Sequence, residues 1–169
     1  MFCYQCEQHR EGQCDAAVGV CGKDVETSDL QDLLMHGVKG ISRYAAAARE
    51  NGADDIEIDR FVIDALFTTV TNVNFDPDRL IGLLQQAGQM LEKSKALYEQ
   101  AAGPNAPALN GATTWRPAAD RDGLLQQAKA VSILSRRQDL GDDAAGLQEL
   151  IAYGLKGTAA YVDHASILG

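Results

Sequence analysis

The sequence predicts an all-α protein: a three-helix-bundle domain and the start of a second, incomplete helical bundle, preceded by an N-terminal cysteine-rich loop. Three observations carry this. Beyond the first two dozen residues, apolar side chains recur with a helical rather than an alternating period. All four cysteines, Cys3, Cys6, Cys14 and Cys21, fall in the first 21 residues. Two stretches far apart in the chain repeat one helical register. At 169 residues and 46% hydrophobic, the chain is long enough for a real core and needs no disulfides to fold.

The predicted organisation is a cysteine-rich segment over 1–26, a first three-helix bundle over 27–102, a Pro/Gly-rich loop over 103–119 and a partial second bundle over 120–169. The first helix is read from the stripe Leu30, Leu33, Leu34, Gly37, Val38, Ile41, Tyr44, Ala45 and Ala48. Ser28 with Gln31 resembles a capping box at its start, and Asn51-Gly52 marks its stop. A second stripe runs Ile58, Phe61, Val62, Ala65, Leu66, Thr69, Val70, Val73. Asp76-Pro77 supplies a cap and a first-turn proline for the third, which runs Leu80, Leu83, Leu84, Ala87, Met90, Leu91, Tyr98. Residues 103–117 hold three of the four prolines and form a long loop. A shorter helix is expected over 120–137 and a last one from about residue 143 onward. The charge run ARENGADDIEIDR reads as a solvated turn between helices.

The last helix repeats the first. Leu30, Gln31, Leu33, Gly37, Lys39, Gly40, Tyr44 and Ala48 match Leu147, Gln148, Leu150, Gly154, Lys156, Gly157, Tyr161 and Ala165 without gaps. Two glycines inside a helix are locally unfavourable, so the shared L-x-x-x-G-x-K-G-x-x-x-Y register points to an internal duplication with close packing at that point. The first copy is followed by two more helices and the second by none. The second bundle is therefore expected to be incomplete, and the chain to be part of a longer protein. The stripe Leu147, Leu150, Ile151, Leu155 and Val162 would then lack its partners, and the chain is expected either to form a homodimer through it when isolated or to belong to a larger assembly.

The net charge of −9 argues against nucleic acid as a partner and suits docking to a basic patch on a protein. No run of about 18 apolar residues is present, so no membrane span is expected. The N-terminus lacks the basic-then-apolar order of a signal peptide. The expected compartment is the cytoplasm, where thiols stay reduced and clustered cysteines tend to bind metal.

The cysteines are spaced C-x2-C-x7-C-x6-C, with Gly12, Gly19 and Gly22 around the last two. Four thiolates suit an iron–sulfur cluster or zinc. Structural zinc sites use two short knuckles, whereas iron–sulfur sites pair one C-x2-C with scattered cysteines. The spacing therefore puts an iron–sulfur cluster first, zinc second, and free or disulfide-bonded cysteine third. Around the cysteines, His9 reads as a loop histidine more readily than as a ligand. Lys23 is either a counter-charge or partner-docking residue, or a solvated lysine. His36 is expected at a helix–helix contact, His164 to face further domains, and Trp115 to anchor the loop on the bundle.

The run MFCYQCEQ, then GVCGK, LQDLL and the GVKG repeat, resembles the N-terminus of the hybrid cluster protein family, also called hydroxylamine reductase or prismane protein. The likeness continues in order through ALFTTVTNVNFD, the ATTW loop and LKGTAAYVDHASILG, covering essentially the whole chain. The resemblance implies that Cys3, Cys6, Cys14 and Cys21 hold a "proximal" cluster near the surface of an N-terminal domain of two three-helix bundles. It implies that the chain stops within the second bundle. The short second-to-third cysteine gap implies [4Fe-4S], while the six-residue last gap resembles the [2Fe-2S] class. The family's catalytic centre is a mixed oxo- and sulfido-bridged iron cluster whose His, Glu and Cys ligands lie in later domains. No catalytic residue is therefore carried over. The chain is expected to relay electrons from a redox partner protein toward a hydroxylamine or nitric oxide reductase centre in the remaining domains, with no turnover of its own. The alternative is a zinc-stabilised helical interaction module without redox activity.

Overall fold

The computed structural model describes residues 1–6, 8 and 12–168; His9 lies outside the described residues. Among these residues every regular element is helical, and the only strand-like pairing is two isolated bridges near the N-terminus. The six α-helices are α1 (Val25–Glu50), α2 (Ile56–Thr68), α3 (Pro77–Ala102), α4 (Arg121–Val131), α5 (Ile133–Leu140) and α6 (Asp142–Leu168), with a 3-10 turn at Gly111–Thr114. None is long and apolar enough to cross a membrane.

Carboxylate caps begin four of them. Asp24, Asp55, Asp76 and Asp120 each accept a backbone N–H of the following turn, which satisfies amides the helix cannot. Pro77 stands just inside the α3 cap, as its fixed φ favours. The two hydrogen bonds from Thr27, backbone and side chain, hold the Asp24 carboxyl below its usual range.

Three boundaries differ from the sequence reading. Helix α1 starts at Val25, and Ser28 and Gln31 lie inside it. The extra turn buries Thr27 and Ser28, polar residues that an apolar period does not count. Helix α2 ends at Thr68 rather than running to Val73, because Asn72 adopts a left-handed φ of 63° in the turn that follows. The stretch expected as one helix over 120–137 is broken at Ser132, whose extended backbone ends α4 and whose hydroxyl caps α5 at the N–H of Ser135.

Helix α1 is the centre of the core. It lies along α3 and also meets α4, α2 and the 3-10 turn. Its Leu30, Leu33, Leu34 and Ile41 are fully buried, each stabilising the fold by roughly 2 kcal/mol. The glycines of the repeat explain how the 103–117 loop crosses it. A Cβ on Gly40 would lie 2.4 Å from the carbonyl oxygen of Ala112, and one on Gly37 2.8 Å from the Trp115 ring. Trp115 is thus the buried anchor of the loop. Helix α2 packs most extensively on α6, which α5 also contacts. The turn after α1 is solvated and closed by Arg49 donating to Asp59 at 2.8 and 3.0 Å.

Candidate metal centre

The chain before α1 folds back on itself. Cys3 and Cys14 form an antiparallel bridge, with N–H to O distances of 2.9 and 2.6 Å. Val18 and Asp24 form a second bridge. Between them the Gly19 N–H donates to the Lys23 carbonyl at 2.8 Å, and Gly22 takes a φ of +89° that side chains rarely adopt. A Cβ on Gly19 would stand 3.7 Å from the Cys21 sulfur.

All four cysteines are free thiols and line one cavity of about 380 Å³, open mouth included, with Gln5, Lys23, Thr71 and Asn72 among its other walls. Cys14 is buried, Cys3 and Cys6 are half-buried and Cys21 is exposed, so the cavity lies at the protein surface. Among the described residues no three His, Cys, Asp or Glu side chains stand in a metal-ligating arrangement; the sulfurs share a cavity without being drawn to one point. The donor set fits a thiolate-bound metal group: four sulfurs, and no histidine or carboxylate among the described lining residues.

The segment between the first two cysteines is tied to distant helices. The Gln5 carbonyl accepts from the Thr71 hydroxyl at 3.0 Å and from the Tyr153 hydroxyl of α6 at 2.8 Å. The Tyr4 hydroxyl donates to Glu149 Oε2 at 2.8 Å, and Arg136 bonds the other oxygen. On the far side, Lys23 Nζ donates to Gln31 Oε1 at 2.7 Å and lies 5.6 Å from the Phe75 ring centroid. Gln31 in turn donates to the Asn74 carbonyl at 2.8 Å.

Behind the cysteines is a second cavity of about 490 Å³ whose wall carries Lys23, Asp32, Lys39, Arg136, Glu149 and Lys156. Four of these are repeat-equivalent: Asp32 matches Glu149 and Lys39 matches Lys156. The two copies meet here, with Lys39 Nζ 3.9 Å from Glu149. Burial pushes the Asp32 carboxyl up to about 6 against the pull of Lys156. Burial brings Lys156 down to about 8 against the pull of Asp32 and Glu149. Burial also raises Glu149, but the Arg136 bond and charge, with Tyr4 and Lys39, outweigh it and leave this carboxyl below its usual range. Tyr4 is held well above the usual phenol range by burial and then by its bond to Glu149.

The structure thus brings the four predicted cysteines to one cavity and places Lys23 beside them, 3% exposed and not solvated. His36 lies edge-on to Trp115, and burial lowers its basicity. His164 is exposed and edge-on to Phe67 of α2. Sequence reasoning missed Gln31, Asp32, Thr71, Glu149 and Tyr153. A signal for two of them was present: the repeat keeps an acid and a lysine seven residues apart in both copies, a spacing that puts them on one helix face.

The Prismane/CO dehydrogenase family model matches residues 1–169. The chain is 51% identical over 176 aligned residues to a hydroxylamine reductase of Burkholderia lata, covering 100% of this chain and 32% of that protein. It is 47% identical over 172 residues to the hydroxylamine reductase of Rhodospirillum rubrum, with 31% of that protein covered. For the one from Geobacter sulfurreducens the identity is 48% over 174 residues, again with 31% covered. The chain therefore spans about a third of the length of these curated relatives. With the match running from its first residue to its last, the chain belongs to the Prismane/CO dehydrogenase family.

Proposed function

We propose that this chain is the iron–sulfur electron-transfer part of a hydroxylamine reductase-type protein, with Cys3, Cys6, Cys14 and Cys21 as the ligands of a [4Fe-4S] cluster and [2Fe-2S] as the alternative. The observation that carries the reading is that the only four cysteines of the chain line a single surface cavity, in a family whose members here bear the name hydroxylamine reductase. Bound there, such a cluster supplies one-electron oxidation and reduction. The residues of the chain do the rest. The Cys3–Cys14 bridge and the Gly19–Lys23 turn bring the thiols to one cavity. Thr71 and Tyr153 fix the backbone between Cys3 and Cys6. Exposed Cys21 leaves one side open to a redox partner protein.

On this reading α1–α3 form the first bundle and α4–α6 begin a second, and the protein works in the cytoplasm, where its thiols stay reduced. The reductase centre, acting on hydroxylamine or nitric oxide, would sit in the part of the relatives' length that this chain does not span. That part would also cover the α6 stripe. Leu147, Leu150, Ile151 and Leu155 are exposed, and in the isolated chain a second copy takes the place of that cover. Sedimentation of the chain at high concentration is then expected to show a dimer that Leu150→Glu with Ile151→Glu dissolves; a clean monomer for the parent removes this part of the proposal.

Anaerobic purification tests the central claim. The expected sample is brown, absorbs broadly near 400 nm and holds about four irons and four sulfides per chain. A colourless sample with one zinc per chain overturns it.

A further inference from the structure

We propose that Lys23 is a buried counter-charge that sets the reduction potential of the group held by the four cysteines; this rests on the iron–sulfur reading above. Lys23 is 3% exposed, and its ammonium donates to a neutral partner, the Gln31 amide oxygen. Among the described residues no carboxylate stands within 4.0 Å of it. It lines both the cysteine cavity and the charged cavity behind it. A buried ammonium without an anion is strongly disfavoured, so the arrangement asks for negative charge on the open side, where the thiols are.

The charges of the second cavity say how much. The two repeat copies contribute a balanced set, Asp32 and Lys39 against Glu149 and Lys156. Lys23 and Arg136 are in excess, two positive charges inside a chain whose net charge is −9. Arg136 is engaged with Glu149, whereas among the described residues Lys23 has no such partner. Four thiolates around a doubly positive core carry two negative charges, which this excess matches. Reduction by one electron would add a third negative charge to the group, and a buried cation in the wall of its cavity would favour that step. The Phe75 ring and the Gln31–Asn74 hydrogen bond hold the ammonium in place from the other side.

The test uses the chain reconstituted anaerobically with iron and sulfide and titrated with dithionite. The parent is measured first. A parent that takes up no iron sinks the iron–sulfur reading and this inference with it. With a loaded parent, Lys23→Met is expected to keep the parental iron and sulfide but to show a more negative midpoint potential, and Lys23→Arg to return most of the shift. The metal-free Lys23→Met chain is expected to melt no lower than the metal-free parent, since an unanswered buried charge has been removed. A loaded Lys23→Met protein at the parental potential overturns the proposal. Should Lys23→Met lose its iron, Lys23→Arg decides: iron regained supports a charge role, and iron still lost assigns Lys23 to packing and overturns it.

Discussion

In α1 the residues Leu33, Gly37, Gly40 and Tyr44 are covered, while their counterparts in α6, Leu150, Gly154, Gly157 and Tyr161, are not. Leu33 is 0% exposed and Leu150 65%; Tyr44 is 6% and Tyr161 80%. The Ala112 carbonyl and the Trp115 ring press on the glycines of α1, whereas nothing stands within 4 Å of a Cβ on either glycine of α6. What α6 turns inward is Ala145, Glu149, Ala152, Lys156 and Ala159, a line of small and charged residues. A shared register thus states which residues lie on one face of a helix, but not what that face meets. The cover of α1 comes from α3, α4 and the loop, all outside the repeat. The part of the register that both copies use alike is polar: the acid and lysine that meet behind the cysteines.

Matched substitutions in the two helices test this difference. The largest single loss is expected on the α1 side of Leu33→Ala against Leu150→Ala. The first leaves a cavity in the core and is expected to lose about 3 kcal/mol of stability in urea unfolding, the second less than about 0.5. Equal losses would mean that α6 is covered in solution. Gly40→Ala forces a methyl against a backbone carbonyl and is expected to lose about 2 kcal/mol by the same measurement. Gly157→Ala meets open space and is expected to gain up to about 1 kcal/mol from helix propensity.

The smallest contrast concerns the paired carboxylates. Glu149→Gln weakens the partner of Arg136 and Tyr4 and is expected to lose about 2 kcal/mol at pH 7. Asp32→Asn removes a carboxylate that folding pushes upward, and is expected to be neutral or stabilising at that pH. The signs follow from linkage. The folded value of Asp32, about 6, is above its ordinary value, so its contribution is present at low pH and lost as pH rises through 6. Glu149 is shifted the other way, so its contribution is present above the ordinary carboxylate range and lost on acidification. Stability followed from pH 4 to 7 in the metal-free chain should therefore lose a downward component in Asp32→Asn and an upward one in Glu149→Gln.

Most of the helical fold was legible because apolar residues repeat at a helical period and because Asp76-Pro77 and Asn51-Gly52 punctuate it. The misplaced boundaries share one cause. Thr27 and Ser28 extend α1 through hydrogen bonds and burial rather than hydrophobicity, and Ser132 breaks the 120–137 stretch through a backbone angle that no composition reveals. The cysteines could be read from spacing alone, since thiols are chemically distinct wherever they occur. Their surroundings could not. Asp32, Glu149 and Lys156 look like solvated helix residues until side chains from two helices more than a hundred positions apart meet in one cavity.

The Gln5 carbonyl has a consequence for how the molecule comes to be made. It lies five residues from the start of the chain, yet it receives hydroxyls from residues 66 and 148 positions downstream. Contacts spanning such separations close large loops and form late. Synthesis delivers the thiols well before the tyrosine that fastens them. Until α6 is made, the Gln5 carbonyl has, among the described residues, only the Thr71 hydroxyl as its distant tie, and the segment between the first two cysteines is fully fastened when α6 docks. On the proposed reading, a metal group held by these cysteines would be seated after α6 has docked instead of guiding it there.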